Sequence, residues 1–260
     1  MKSNLDNPKW LKIYKGEDRA DFYPYDAPNN NFLIYKGKLR LIPKNFNFFD
    51  RVPVLAAGSN RSPSQIFWKF GSNEIIPVTL ATLNNCDIVY ASLISYYGAI
   101  PTTLWPVDGC KVKISITWLT KKQLIKMHKT EAVGKAYNYV RFDDNLISIN
   151  GFDNNFSVYG YISCSGALNF GDGYPKSLSF FKAKNRLFNS VNQLRALKCV
   201  ARYFNEDKNK IAIKAFRKKI IENPKYRSNV ITKLEEHSIK YQNVPWELEI
   251  IKNVNYKEFY

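Results

Sequence analysis

The clearest pattern of apolar and polar positions lies between Val52 and about Asp143, and it predicts strands more often than helices. An apolar run from Val52 to Ala57 leads into Gly58-Ser59-Asn60, and Ser62-Pro63 then opens a helix. The segment from Lys111 to Trp118 alternates apolar and polar residues, which is typical of a half-buried strand. Further strands are predicted at Ile75 to Leu80, Cys86 to Ser92, Tyr137 to Phe142 and Val158 to Ser163.

The flanking regions differ in pattern from this central block. The first fifty residues are polar and aromatic, with short strands predicted at Phe32 to Tyr35 and Leu39 to Ile42. Gly171-Asp172-Gly173 predicts a hairpin turn before a strand at Ser177 to Phe181. From Ser190 the period becomes helical, giving one helix through Leu194 and Val200 and a second that stops before Pro224. We therefore predict an α+β fold in three parts: an N-terminal extension (1–50), a central domain (51–185) and a helical, basic C-terminal extension (186–260).

Composition and hydropathy limit the classes of protein to which the chain can belong. Its 260 residues are 45% hydrophobic and 15% aromatic, which excludes a disordered chain. No apolar run reaches the roughly 18 residues of a membrane span, and the N-terminus has no apolar run of the kind found in signal peptides. We therefore expect a cytoplasmic protein that does not enter a membrane.

The formal charge of +17 favours polyanion binding as one function class. From residue 182 onwards the chain has eighteen Lys and Arg against eight Asp and Glu. A basic helix face would be formed by Lys210, Lys214, Arg217 and Lys218. An AT-rich genome would produce the same bias towards Lys, Asn and Ile without any selected partner, so nucleic-acid binding remains an alternative at this stage.

Cysteine and histidine usage gives no sign of a metal site. The four cysteines are far apart and form no C-x-x-C pair, so we expect reduced thiols. His128 and His237 are the only histidines, and neither belongs to a cluster with the spacing of metal ligands.

Glu131 is the most unusual candidate residue. It ends a helix that begins at Thr120, where Thr120 and Gln123 have the spacing of a capping box. Three lysines lie on one side of this helix, whereas Glu131 shares the apolar stripe on the other side with Leu124, Met127 and His128. A carboxylate on such a stripe needs a hydrogen-bonding partner or has a chemical role. The alternative is that Glu131 turns to solvent or pairs with Lys135 or Arg141.

Two further candidates are ambiguous on their own. His128 is either a second acid/base group or a core histidine with its hydrogen bonds satisfied. The strand that runs into Gly58-Ser59-Asn60 exposes backbone N–H groups that can bind a carboxylate or a phosphate, but many such turns have only a geometric role.

Taken in order, six blocks of sequence resemble the gamma-glutamylcyclotransferase-like family. The blocks are an opening strand and loop at Val54–Asn60, a glycine-led segment at Tyr97–Leu104, the segment Pro106–Gly109, a strand at Val112–Leu119, a helix at Leu124–Glu131 and an aromatic strand at Tyr137–Arg141. This chain departs from the family pattern at three positions. Ala57 stands where the family's loop has tyrosine, and Ala132 and Ser115 stand where the family often has glycine. The resemblance covers about Val52 to Phe142 and leaves both ends of the chain unmatched.

The resemblance implies a gamma-glutamylcyclotransferase-like mixed β-barrel with surrounding helices and no metal or cofactor. It implies an enzyme that cyclises a gamma-glutamyl group to 5-oxoproline and releases an amine, acting on a small gamma-glutamyl substrate. Glu131 would be the general acid/base, and Tyr139 or Tyr137 would close the pocket. The substrate would be held by Ala57, Gly58, Ser59, Asn60 and Gly98.

Two alternatives to this predicted enzymatic function concern the ends of the chain. One is a non-catalytic barrel whose basic C-terminal region contacts nucleic acid or another polyanion. The other concerns the aromatic N-terminal segment, which would serve as a dimer contact, cover the pocket or simply pack on the barrel. Its aromatic residues are Trp10, Tyr14, Phe22, Tyr23 and Tyr25.

Overall fold

The structure is a computed structural model that describes residues 4–152 and 156–249. Within these residues, twelve strands form one mixed sheet, and six α-helices surround it. The strands are β1 (Phe32–Tyr35), β2 (Lys38–Arg40), β3 (Val52–Ala56), β4 (Ile75–Tyr90), β5 (Thr102–Leu119), β6 (Tyr137–Phe142), β7 (Ile147–Ile149), β8 (Tyr159–Ser163), β9 (Ser177–Leu178), β10 (Ala183–Lys184), β11 (Ser190–Val191) and β12 (Trp246–Leu248). The helices are α1 (Asp18–Asp21), α2 (Pro63–Phe70), α3 (Lys121–Thr130), α4 (Gln193–Arg202), α5 (Lys210–Glu222) and α6 (Pro224–Glu236).

The sheet is mixed but open, so the predicted closed barrel is wrong, whereas the predicted α+β class is confirmed. The strand order along its main path is β11-β9-β4-β5-β3-β8-β6-β12, and no pairing among the described residues joins the two end strands. Closure would require a matched, tilted register all the way round the sheet. The terminal strands β11 and β12 have only two and three residues, which is too short to supply that register.

Strands β4 and β5 form the long centre of the sheet, and both are longer than the sequence pattern predicts. The two strands predicted at 75–80 and 86–92 are one continuous strand, β4, which pairs antiparallel with β5 and shifts register between Asn84 and Cys86. At this point Asn85 has a φ of +53°, as expected for a bulge that takes up an extra residue. The polar residues at the bulge interrupt the apolar pattern but do not end the strand.

The hairpin predicted around residues 171–173 is also wrong. Strand β9 pairs antiparallel with β4 and parallel with β11, and it does not return along β8. The Gly-Asp-Gly segment forms bends in a longer connection between distant parts of the sheet. Turn-forming residues predict a change of direction, but the partner of the next strand depends on tertiary packing.

The predicted starts of α2 and α3 are confirmed. Pro63 occupies the first turn of α2, and the capping box of α3 is complete. Thr120 Oγ1 accepts from the backbone N–H of Gln123 at 3.3 Å, and Gln123 Oε1 accepts from the N–H of Thr120 at 3.0 Å. The pattern does not predict α6, because a proline after an apolar helical segment indicates a helix end, whereas Pro224 lies in the first turn of a new helix capped by Asn223.

All three predicted parts of the chain contribute to one sheet. The β1–β2 hairpin joins through β4, and β12 joins through β6. Buried residues of the C-terminal helices, such as Phe216 and Leu234, belong to the same core cluster as Trp118 of β5. None of the helices formed by residues 4–152 and 156–249 is long and apolar enough to cross a bilayer.

Candidate functional site

A cavity of about 490 Å³ opens where the end of β3, α2, the end of α3 and the segment before β5 meet. This volume lies within the usual range for small-molecule sites. The lining residues come from the N-terminal, central and C-terminal parts of the chain. The polar ones that matter below are Arg19, Tyr23, Ser59, Asn60, Lys69, Tyr97, Thr102, Glu131, Tyr137 and Tyr161.

Glu131 lies in this cavity wall, directly after the last residue of α3. Its side chain is 13% exposed, and its Oε1 accepts a hydrogen bond from Asn60 Nδ2 at 3.0 Å. The ammonium of Lys69 forms an ion pair with the same oxygen. Glu131 therefore neither turns freely to solvent nor pairs with Lys135 or Arg141, and Arg141 instead bonds Glu247.

Lys69 is the buried counter-charge of Glu131. It lies on α2, only 6% exposed, and its Nζ also contacts Met127 Sδ on α3 at 3.3 Å. An ion pair removed from water needs good geometry and further hydrogen bonds to repay the loss of solvation. Asn60 supplies such a bond to the carboxylate. Sequence reasoning missed Lys69 because α2 has no motif that distinguishes this lysine from a surface one.

The loop at residues 57–60 is fixed beside Glu131 by Thr102 and by Tyr23 from the N-terminal segment. Thr102 Oγ1 donates to Ala57 O at 3.0 Å and lies 2.9 Å from the Tyr23 hydroxyl, which also accepts from Thr102 N at 3.2 Å. A Cβ atom at Gly58 would lie 2.5 Å from that hydroxyl. Glycine is therefore required at this position because Tyr23 approaches the backbone so closely.

The residues after Gly58 form a short 3-10 turn, Ser59–Arg61, followed directly by α2. The first N–H groups of a helical turn have no carbonyl partner within it, so they can bind an anion. Asn60 also presents a buried Oδ1 that has no hydrogen-bond partner among the described residues. The loop therefore offers donors for a carboxylate and one acceptor for a cationic group next to Glu131.

Of the two tyrosines considered for closing the pocket, Tyr137 lines the cavity and Tyr139 does not. Both point to the same face of β6, but Tyr139 lies two residues further along, roughly 7 Å away. Its ring stacks on Tyr159 and contacts the His128 ring at 4.6 Å between centroids. Tyr137 donates to Thr102 O at 3.2 Å, and burial raises the pKa of its phenol well above the ordinary value.

His128 is a core histidine whose ring bonds a neighbouring tyrosine. It is 2% exposed, and its Nδ1 lies 3.0 Å from the hydroxyl of Tyr161, which lines the cavity. Burial lowers the pKa of the imidazole to about 4, although the nearby Glu131 carboxylate acts in the opposite direction. The ring is therefore neutral at pH 7, and the role of a satisfied core residue fits this geometry better than that of a base.

Gly98, which the resemblance places at the substrate, packs outside the cavity lining. Its φ is +79°, and a Cβ at this position would lie 2.7 Å from Arg217 Cγ of α5. Glycine is needed there for the turn and for close packing of the C-terminal helix. The neighbouring residues Ser95, Tyr96 and Tyr97 form that part of the cavity wall.

Arg19 of α1 forms a wall of the cavity that sequence reasoning did not predict. It is 8% exposed, and its guanidinium carbon lies 4.1 Å from the Trp68 ring centroid and 4.2 Å from that of Tyr97. The density of aromatic residues in the N-terminal segment was the available signal. It indicated that the segment packs or covers a pocket, but it did not identify the arginine that the segment carries.

The predicted basic face of α5 loses one of its four members. Arg217 is 6% exposed and donates to the carboxylate of Asp21, so it ties α5 to the N-terminal segment. Lys210, Lys214 and Lys218 are exposed. Polyanion binding through these lysines remains a prediction, which retention on nucleic acid that falls steeply with salt would test.

Comparisons with known proteins give only a weak structural overlap. No family model matches the chain, and no curated protein matches it in sequence. A solved structure titled as a gamma-glutamyl cyclotransferase overlaps 70% of this chain and 99% of its own, with a TM-score of 0.37 and 12% identity. An uncharacterized protein from Homo sapiens gives the same values. At this TM-score and identity the overlap does not assign an activity.

Proposed function

We propose that this protein is an enzyme that cyclises a gamma-glutamyl group to 5-oxoproline and releases the attached amine, with Glu131 as the general acid/base. The observation that carries the proposal is the hydrogen bond from Asn60 to Glu131, which brings the loop and the carboxylate into one cavity. The resemblance described above assigns these same two features to substrate binding and proton transfer.

The reaction needs the alpha-amine of the gamma-glutamyl group to attack its own gamma-carbonyl carbon. A new C–N bond forms the lactam ring, and the bond from the same carbon to the departing nitrogen breaks. The alpha-nitrogen begins as an ammonium and ends as a lactam N–H, so two protons move to the departing nitrogen, which leaves as an ammonium. One carboxylate can accept a proton at the first nitrogen and deliver it to the second.

The charges in the cavity suit this chemistry. The ammonium of the substrate would lie between Glu131 and the unpartnered Asn60 Oδ1, and the alpha-carboxylate would bind the N–H groups of the turn that begins at Gly58. Among the described residues, the two side-chain hydrogen bonds to Glu131 both use Oε1, and none goes to Oε2. That second oxygen is the one we assign to proton transfer.

The test is release of 5-oxoproline from a panel of gamma-glutamyl amides and amines. We expect turnover of at least one compound, and Glu131→Gln should lower kcat by about 10²- to 10⁴-fold because it removes proton transfer. Glu235→Gln, on an exposed part of α6, is the matched control and should retain activity. If wild type and Glu131→Gln are equally inert on the panel while both remain folded, the proposal is wrong.

A further inference from the structure

Arg19 is a buried charge that has no counter-charge among residues 4–152 and 156–249. No carboxylate of the described residues lies within ion-pair distance of it. Its Nη1 contacts the Tyr96 hydroxyl, whereas its Nη2 is buried and has no hydrogen-bond partner among these residues. Burial lowers the pKa of Arg19, but the hydroxyls of Tyr25 and Tyr96 more than offset this effect, so the charged form is kept without an ion pair. The unmade hydrogen bond of the buried Nη2 still has a cost, which an anionic partner would remove.

The aromatic surroundings of Arg19 hold its guanidinium group in a fixed place. The rings of Trp68 and Tyr97 lie within 4.2 Å of the guanidinium carbon, and the ring of Tyr96 lies at 5.2 Å. A guanidinium donates its N–H hydrogen bonds in its own plane, and on that edge Arg19 Nη2 is buried and has no partner among the described residues. That edge matches a carboxylate through two parallel hydrogen bonds, a geometry that lysine cannot reproduce.

Arg19 lies in the same cavity as Glu131 but on a different wall. The Gly58 turn and Asn60 adjoin Glu131, whereas Arg19 is surrounded by Trp68, Tyr96 and Tyr97. Tyr97 is within electrostatic reach of both charges: burial raises the pKa of its phenol well above the ordinary value, Arg19 opposes that rise and Glu131 adds to it. A ligand with its reacting carbon at Glu131 therefore has a second, cationic wall within the cavity.

We propose that Arg19 binds a carboxylate on the departing half of the substrate, and so selects gamma-glutamyl compounds whose amine carries a negative charge. The inference rests on the proposed function for the position of the reacting amide. The glutamyl half is already accommodated by the Gly58 turn and Glu131, so the half that extends away from them meets the Arg19 wall. The N-terminal segment would thereby supply a specificity-determining residue to a site otherwise built from the central part of the chain.

The experiment compares two substrates that differ in one carboxylate, gamma-glutamylglycine and gamma-glutamylmethylamine. We expect wild-type kcat/KM to be about 10- to 100-fold higher for gamma-glutamylglycine, the value of one charge-assisted, bidentate contact. Arg19→Gln should reduce this preference to within about threefold, and Arg19→Lys should keep an intermediate preference because it retains charge without the planar fork. Arg51→Gln is the matched control, since Arg51 is also a partly buried arginine with one nitrogen, Nε, that makes no hydrogen bond among the described residues, but it pairs with Asp50 and does not line the cavity.

The outcomes separate this inference from the proposed function. If wild type shows no preference between the two substrates, or if Arg19→Gln lowers kcat/KM equally for both, Arg19 does not bind the carboxylate of the departing half. Either result overturns the inference. If neither substrate yields 5-oxoproline, the proposed function fails for this pair, and calorimetric titration of the same two compounds then decides the inference. Wild type must bind gamma-glutamylglycine at least 10-fold more tightly than gamma-glutamylmethylamine, and Arg19→Gln must not; equal affinities overturn it.

Discussion

The two charged walls of the cavity differ in how their charges are compensated. Glu131 is paired with Lys69 and accepts a hydrogen bond from Asn60. Arg19 is more deeply buried and contacts three aromatic rings, but it has no ion pair among the described residues. The charge of Glu131 is therefore compensated without a ligand, whereas Arg19 is left with one unmade charge-assisted bond at Nη2.

This difference separates two roles that a charge can have in a site. A compensated carboxylate stays in one position through a reaction cycle and can exchange a proton repeatedly. An uncompensated guanidinium favours any ligand that brings the missing charge, because binding removes a cost already present in the free protein.

Removing the counter-charge of Glu131 should be the most damaging change to stability. Lys69→Met leaves the carboxylate of Glu131 almost buried and without its cation, and we expect the free energy of unfolding to fall by about 3 kcal/mol in urea denaturation. Lys122→Met, at an exposed lysine of α3, should change it by less than about 0.5 kcal/mol. Combining Lys69→Met with Glu131→Gln should recover part of the loss; no recovery would show that the two residues are not energetically coupled.

The pH dependence of stability should report on His128, the neutral neighbour of Glu131. Burial lowers the pKa of His128 in the folded state to about 4, whereas the unfolded chain titrates near its ordinary value of 6.5. The unfolded state therefore binds the proton first as pH falls, and stability that is fully present above pH 6.5 is lost towards pH 4. Between pH 7 and pH 5 we expect a loss of about 2 kcal/mol from this group.

The control for that prediction is His128→Gln, which keeps a hydrogen-bonding group beside Tyr161 but cannot titrate. Its free energy of unfolding, measured by urea denaturation at pH 7 and pH 5, should fall by about 2 kcal/mol less than that of wild type. Equal pH dependence in the two proteins would mean that His128 is not held neutral by burial.

The sequence predicts the Glu131 wall of the cavity better than the Arg19 wall. The reason is that the two walls depend on contacts between residues at different separations along the chain. The capping box, the helix stripe and the Gly58 turn are local signals, so they made Glu131 and the loop at residues 57–60 candidates, which the family resemblance then joined. Arg19 and Lys69 meet the cavity through contacts with residues far away in sequence, which no local period records.

The same limit explains the misjudged parts of the fold. A bulge at Asn85 made one long strand look like two, and Pro224 marks a helix start as readily as a helix stop. Tyr137 and Tyr139 share a face, so alternation along the strand could not decide which of them lines the cavity. In each case the missing information was the identity of the partner across the sheet or the cavity.

Tyr23 joins the two walls, because it lies in the same segment as Arg19 and bonds Thr102 beside the Gly58 loop. Tyr23→Phe removes the hydroxyl without opening a large void, so we expect a loss of about 1 kcal/mol in unfolding free energy. If the loop also loosens, KM for a gamma-glutamyl substrate should rise more than kcat falls. Tyr174→Phe, at a 63% exposed position, is the control and should change neither quantity.

The smallest effect on stability is expected where the comparison is most direct, at Arg19 itself. Arg19→Met loses contacts with three rings but also removes an uncompensated buried charge, and these opposing terms should leave unfolding free energy within about 1 kcal/mol of wild type. Arg217→Met removes an arginine that is equally buried but paired with Asp21, and should cost about 2 kcal/mol. If urea denaturation shows Arg19→Met to be the more destabilised variant, Arg19 stabilises the free protein more than an arginine with an ion pair does, which contradicts an unfilled anion site.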